Sequence, residues 1–343
     1  MASRDRTGQS HPRQCSLEDL LRLGATGVAA AVREDLAGGD PTSDALFGEA
    51  DTARAVLVAR APGVIAGLPV AERVFHAVDE RIRFAPHVDD GERVEEGDTL
   101  AEITGPSRSI LAAERTALNF LQRMSGIATL AARYARRIAT TDAALLDTRK
   151  TAPGLRALDK YAVRIGGGRN HRLSLSDLGM IKDTHIAAVG GIAPALEAAR
   201  TSAPELPLEV EVRSFDELDA VLSTEPLPER ILLDNLSPDA LRTAVQRIGG
   251  RAIAEASGGV TMETIRSIAE TGVDAISVGE LTHSVRALDV AMEVRSSEDD
   301  EPIADRIARV RERLGSRVVL LVHHYMRDTI VDRKSTRLHS SHT

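Results

Sequence analysis

Apolar and polar positions follow two rhythms along this chain, and the change from one to the other divides it. SLEDLLRLGATGVAAAVREDL (16–36) repeats its apolar residues three and four apart, which predicts a helix with Ser16 as cap and an acidic first turn. The stretch ARAVLVARAPGVIAGLPVAERVFHAV alternates as a strand does, breaks at Pro62 and Gly63, and resumes with helical spacing. GERVEEGDTLAEITGPSRSIL (91–111) reads as short strands joined by glycine turns. From 112, AAERTALNFLQRMSGIATLAARYARRI predicts one long helix, with Ser125-Gly126 as a point where it can kink.

After that helix the rhythm shortens. ALLDTRK, DLGMIKD, LEVEVRS, RILLDN, RAIAEASGG and DAISVGE are short, nearly all-apolar segments, most of them separated by helical stretches such as SFDELDAVLS and SPDALRTAVQRIG. Strands buried on both faces and alternating with helices make a parallel sheet. Six such units in about 140 residues favour a closed barrel over an open sheet. No Gly-rich dinucleotide fingerprint follows the first strand, which argues further against a doubly wound sheet.

Composition narrows the chemistry. The chain has 343 residues and 43% hydrophobic content, enough for two domains with a sizeable core. A single cysteine, Cys15, excludes an internal disulfide, a thiolate zinc site and an iron–sulfur cluster held by this chain alone. No apolar run approaches the ~20 residues of a membrane span. The polar N-terminus lacks a signal-peptide core, so a cytoplasmic location is expected. A net charge of -8 with no Trp, three Tyr and five Phe speaks against nucleic-acid binding. Of the 43 basic residues only four are lysine, and Lys150, Lys160 and Lys182 fall together in a locally positive segment. A crowded phosphate or ribose site can accept the compact lysine charge and refuse the arginine fork, so the neighbourhood these three share is read as that of the site.

In a barrel of this kind chemistry sits at the carboxyl ends of the strands. There the chain carries Arg149 and Lys150, then Lys182, Glu209 and Glu211, Asp234, Glu255 and Ser257, and finally Gly279. Glu209 and Glu211 are two apart and share a strand face, so both are expected to point inward. A structural barrel would hold Val, Ile or Leu there; the competing reading is an interior salt-bridge network. Ser257, Gly258 and Gly259, followed by the helical TMETIRSIAE, and Gly279 in the next loop resemble phosphate cradles. Arg149, His171 and Arg172 suit planar carboxylates, and Glu211 and Asp234 suit Mg²⁺ or ribose hydroxyls.

These residues carry a resemblance. LLDTRKTAPGLRALDKYAVRIGGGRNHRLSLSD, EVEV, ILLDN, ASGG and VGELTHSVRALD, with AERTALNFLQRMSGIAT before them, closely resemble the nicotinate-nucleotide pyrophosphorylases, also called quinolinate phosphoribosyltransferases, over about residues 16–295. The resemblance implies an α/β fold: an N-terminal α/β sandwich domain (16–115, with 284–295 returning to it) and an incomplete (β/α) barrel (116–283). It implies transfer of the phosphoribosyl group from phosphoribosyl pyrophosphate to quinolinate with loss of CO₂, using Mg²⁺, by a homodimer with shared active sites. By motif, Arg149, His171 and Arg172 correspond to quinolinate-binding groups, and Arg115 to an arginine from the neighbouring subunit. Lys150 and Lys182 correspond to lysines near the reacting centre, and Arg156 to another residue lent across the dimer. Glu211 and Asp234 match the ribose and metal carboxylates, and Ser257, Gly258, Gly259, Gly279 and His283 the 5′-phosphate site. Two positions depart from the family pattern: Asp183 in IKDTH, and Glu280, which is expected to point outward.

Residues 1–15 are expected to be disordered and 296–343 peripheral. In the latter, IADRIARVRERLGSRVVLLVHHY resembles the opening of quinolinate synthase without its catalytic core, and DRKSTRLHSSHT shifts composition again.

Overall fold

The computed structural model describes residues 15–295; the expectations for 1–14 and 296–343 lie outside the described residues. Helix α1 (Leu17–Leu36) starts at a capping box in which Ser16 accepts from the Asp19 N–H and the Asp19 carboxylate returns to Ser16. Then come α2 (Pro41–Leu46), β1 (Thr52–Ala59), β2 (Gly63–Val64), α3 (Leu68–Val78), β3 (Arg83–Pro86), β4 (Arg93–Val94) and β5 (Thr99–Pro106). Strands β1, β5 and β3 form an antiparallel sheet.

Helix α4 (Ser107–Ile138) begins five residues earlier than the spacing predicts and runs 32 residues unbroken. The 115/116 boundary therefore falls inside one element. Ser125-Gly126 is a contact rather than a kink. The Ser125 hydroxyl bonds both backbone groups of Ala66, and a Cβ on Gly126 would lie 2.3 Å from the Arg286 carbonyl. Glycine is there because another backbone crosses. On its other faces Leu121, Met124 and Tyr134 are buried, each such side chain contributing about 1.5–3 kcal/mol of transfer free energy.

The second half runs β6 (Ala144–Leu146), α5 (Arg156–Ile165), β7 (Gly179–Ile181), α6 (Asp183–Val189), α7 (Ile192–Ser202), β8 (Leu208–Val212), α8 (Phe215–Leu222), β9 (Arg230–Asp234), α9 (Pro238–Ile248), β10 (Ile253–Ser257), α10 (Ile265–Ala269), β11 (Ala275–Ser277) and α11 (Glu280–His283). All six strand segments read from the sequence are present, in the parallel order β6-β11-β10-β9-β8-β7. The order is linear, so the barrel is incomplete rather than closed. Between α5 and β7 the chain is spent on the GGGRNHRLSLSD loop, of which Arg169 bridges to Leu146 at the open edge. Strand β12 (Val290–Arg295) then returns to pair antiparallel with β1, tying the two halves together. Among the described residues no helix is long and apolar enough to cross a membrane.

Candidate active site

At the carboxyl ends of the parallel strands lies a cavity of about 1020 Å³ lined mainly by charged and glycine residues. Its first wall grows from β6. Asp147, fully buried, accepts from Lys160 Nζ, from Asn170 Nδ2 at 2.6 Å and from the His171 N–H at 2.9 Å. Lys160 also donates to the His171 carbonyl at 3.0 Å. Burial pushes the Asp147 carboxyl up and the Lys160 ammonium down, and their mutual attraction opposes both. Lys160 is thus a correction to the reading of the lysine cluster: it sits on the buried face of α5 and staples the loop behind the cavity. Only Lys150 and Lys182 line it.

That staple presents cations to open space. Arg149 Nε is buried with no hydrogen-bond partner. Arg172 is buried, donates to the Leu178 carbonyl at 2.9 Å, and is lowered by its own desolvation and by the Arg149 charge. Among the described residues no carboxylate forms an ion pair with Arg149, Arg172 or Lys150. Glu209 and Asp177 partly offset the repulsion at Arg172, and an anion between the two guanidinium groups would offset the rest.

The loop carrying Arg172 is held by Asp177, which accepts from the N–H groups of Leu173 and Ser174 at 2.8 and 2.9 Å and from the Ser174 hydroxyl. Burial raises this carboxyl, but those hydrogen bonds win and hold it below 3.8. A depressed folded value means its stabilisation is present above the unfolded pKa and is lost as pH falls below about 4. Asp177→Asn should therefore lower the stability at pH 7 by about 1 kcal/mol, seen as a lower unfolding midpoint. Thermal unfolding curves of the two proteins should converge below pH 4; an equal gap at every pH would contradict this role.

Beneath the cavity the strands hold the interior network that was the competing reading. Glu209 and Glu255 are fully buried; Arg230 bonds Glu255 and stands 3.7 Å from Glu209. His171 Nε2 lies 3.1 Å from Glu209 and 3.4 Å from Glu255, while its Nδ1 accepts the Arg172 N–H at 2.8 Å. Burial works against a proton on this ring, but Glu255 and Glu209 raise its pKa on balance. His171 borders the cavity, with both nitrogens already turned to protein groups. His171, Glu209 and Glu255 could together hold a metal ion, but the Arg230 guanidinium already supplies the positive charge that such an ion would bring.

Glu211 and Asp234 rise into the cavity as strand periodicity requires. Lys182 Nζ is 3.5 Å from Glu211. Sequence reading missed Arg213, which bonds Glu211, Asp234 and Asp183 at once. The signal was there: Arg213 continues the Glu209, Glu211 period one step past β8. Arg230 was missed as well, although it opens β9 in register with Glu209.

Opposite lies the glycine cradle. Gly258 and Gly259 have φ of 86° and 59°, and a Cβ on Gly258 would lie 2.3 Å from the Asn235 side-chain oxygen. Asn235, itself at φ 57°, donates its N–H to the Ser257 carbonyl at 2.8 Å and is a further cavity residue that the sequence reading passed over. Helix α10 starts only at Ile265, so the glycine turn itself, rather than a helix terminus directly after it, lines the cavity. Gly279 leads directly into the four-residue α11. His283 borders the same space, with Nδ1 2.6 Å from the Ser284 hydroxyl. Glu280 does not point outward: it borders the cavity, and its carboxylate accepts a hydrogen bond from the Tyr134 hydroxyl on α4. An anion beside Gly279 counts against phosphate at that loop and leaves the Ser257–Gly259 turn as the stronger cradle.

Two expected residues stay apart. Arg115 is exposed on α4 and does not line this cavity. Arg156, at the start of α5, donates to Thr151 Oγ1 at 3.1 Å and to the Leu173 carbonyl at 3.2 Å, also outside it.

A parallel, incomplete barrel whose mouth opposes unpaired guanidinium groups to a glycine anion cradle defines a transferase-type site for a phosphorylated, carboxylate-bearing substrate pair. Residues 127–293 match the quinolinate phosphoribosyl transferase C-terminal domain and residues 40–125 its N-terminal domain. The chain belongs to the quinolinate phosphoribosyl transferase family. It is 46% identical over 275 residues to the nicotinate-nucleotide pyrophosphorylase [carboxylating] of Mycobacterium leprae, covering 78% of this chain and 95% of that protein. The probable counterpart in Bacillus subtilis is 41% identical over 267 residues, covering 78% and 91%. The solved NadC of Streptococcus pyogenes superposes with a TM-score of 0.76 at 40% identity, covering 82% of this chain and 99% of that one.

Proposed function

We propose that this chain transfers the phosphoribosyl group of phosphoribosyl pyrophosphate to quinolinate and releases CO₂, giving nicotinate mononucleotide and pyrophosphate. The observation that carries this reading is Arg149, half-buried with its buried Nε unpartnered, beside Arg172 in a cavity that also holds the glycine cradle. Quinolinate is a dianion, and two forks that form no direct ion pair with a protein carboxylate among the described residues suit it.

In this reading Arg149 and Arg172, with His171 held beside them, bind the two carboxylates, and Arg115 arrives from the partner of a homodimer. Arg156 supports the loop from its own chain or across that interface. Ser257, Gly258, Gly259, Gly279 and His283 bind the 5′-phosphate, and Lys150 and Lys182 face the pyrophosphate and the reacting centre. The pyridine nitrogen forms its bond to C1 of the ribose as the C–O bond to pyrophosphate breaks. Glu211 and Asp234 stabilise the positive charge that develops on the sugar. The N-ribosyl pyridinium then loses its adjacent carboxylate as CO₂; the electron pair left on the ring carbon is stabilised by the neighbouring N⁺ and takes a proton from solvent. The pocket positions and desolvates. Glu211 and Asp234 supply the hard oxygen donors that Mg²⁺ takes, and the bound ion would neutralise pyrophosphate as it leaves.

The test is turnover with quinolinate and phosphoribosyl pyrophosphate, following CO₂ and nucleotide together. CO₂ release that depends on both substrates and on Mg²⁺, inhibited by phthalate far more than by benzoate, is the expected result. Nucleotide formed from nicotinate but not from quinolinate would overturn it.

A further inference from the structure

A cation already stands between the two carboxylates assigned to metal and ribose. Arg213 Nη2 donates to Glu211 Oε1 at 2.8 Å, Nε to Asp234 Oδ2 at 3.2 Å, and Nη1 to Asp183 Oδ2 at 2.6 Å. All three guanidinium nitrogens are engaged. The side chains differ in setting: Glu211 is 7% exposed and Asp234 15%, whereas Arg213 is 51% and Asp183 49%. The deep pair is fixed on β8 and β9; the fork that joins them reaches in from the rim and keeps its third bond at the rim.

Two carboxylates close enough for one guanidinium to span repel each other unless a cation joins them. A divalent ion would need the same oxygen atoms. The ion and the guanidinium cannot both occupy that position, because their charges would repel at contact distance. No third carboxylate completes a protein cage there: among the described residues the only group of three clustered metal-type ligands is the His171, Glu209 and Glu255 set below.

We propose that Arg213 is a resident counter-cation that holds Glu211 and Asp234 in place in the free protein and competes with the divalent ion for them, swinging out to Asp183 when the ion binds. The inference rests on the reading of Glu211 and Asp234 as the metal and ribose carboxylates. It makes Arg213 a positioning residue. The apparent affinity for the ion is reduced by the fraction of molecules in which the fork is engaged. Asp183, a departure from the family pattern, thereby gains a role as the landing point.

The experiment is Mn²⁺ binding to the full chain without substrates, read from the electron paramagnetic resonance signal of the free ion. Arg213→Gln should tighten Mn²⁺ binding about fivefold or more, and Arg213→Lys, which keeps the charge without the fork, by less. The double variant Glu211→Gln/Arg213→Gln should lose the gain, which locates the ion at this pair. Thermal unfolding confirms that each variant folds; Arg213→Lys alone decides the matter if the glutamine variant does not. Mn²⁺ binding unchanged or weakened in the Arg213 variants, or a gain that survives the double substitution, would overturn the proposal. Quinolinate turnover is read separately. Tightened Mn²⁺ binding with no CO₂ release from any variant would sink the functional reading and leave the competition standing; normal turnover with unaltered Mn²⁺ binding does the reverse.

Discussion

Arg149→Lys should lower kcat/KM for quinolinate by about 10–100-fold while leaving thermal stability almost unchanged. The Arg149 Nε is buried without a partner, so no protein hydrogen bond is lost when the fork is removed. What is lost is one of two parallel charge-assisted bonds to a carboxylate, about 1.5–3 kcal/mol. A lysine ammonium keeps the charge but cannot span both oxygens. The substitution keeps one positive charge beside Arg172 and breaks no protein hydrogen bond, which is why the unfolding temperature is expected to hold. Steady-state kinetics with quinolinate varied, beside a calorimetric scan, check both halves. Equal kinetics in the two proteins would remove the geometric argument for this residue.

Lys160→Met has the opposite profile, large in stability and indirect in activity. It leaves Asp147 as a fully buried anion with only Asn170 and the His171 N–H as donors. Breaking a buried pair by deleting one partner costs about 3–5 kcal/mol. Burial already raises the Asp147 carboxyl, and loss of the ammonium removes the largest force opposing that shift. The sign follows: a carboxyl whose folded pKa lies above its unfolded value costs the folded state more as pH rises through that range. Urea denaturation should therefore show a deficit that grows from about pH 4 upward. Asp147→Asn/Lys160→Met should recover part of it. A deficit under about 1 kcal/mol at pH 7 would mean that the pair is not the staple described.

Much of the site could be read from strand arithmetic. Glu209 and Glu211 point inward because side chains alternate along β8, and Gly258 and Gly259 adopt φ values open chiefly to glycine. The six parallel strand segments followed from the succession of apolar runs, and the incomplete barrel and the return of the last strand from the family resemblance; the order β6-β11-β10-β9-β8-β7 came only with the structure. The errors share a cause. Lys160 groups with Lys150 and Lys182 as a neighbour in sequence, yet α5 turns it to its buried face. His171 does border the cavity, but what its sequence position cannot show is that two carboxylates from β8 and β10 and the N–H of the adjacent Arg172 hold its ring. Sequence alone points Glu280 outward, and a tyrosine 146 residues away takes its carboxylate.

Local periodicity acts over three or four residues, so the type and face of each element were legible from neighbours alone. Ion pairing depends on distance in space and on how much water has been removed, quantities that exist only once distant strands are packed. The chain's letters therefore settled that cations and carboxylates would crowd the barrel mouth. Folding settled which of them cancel inside the protein, as Lys160 and Arg230 do, and which, like Arg149, are left facing the cavity.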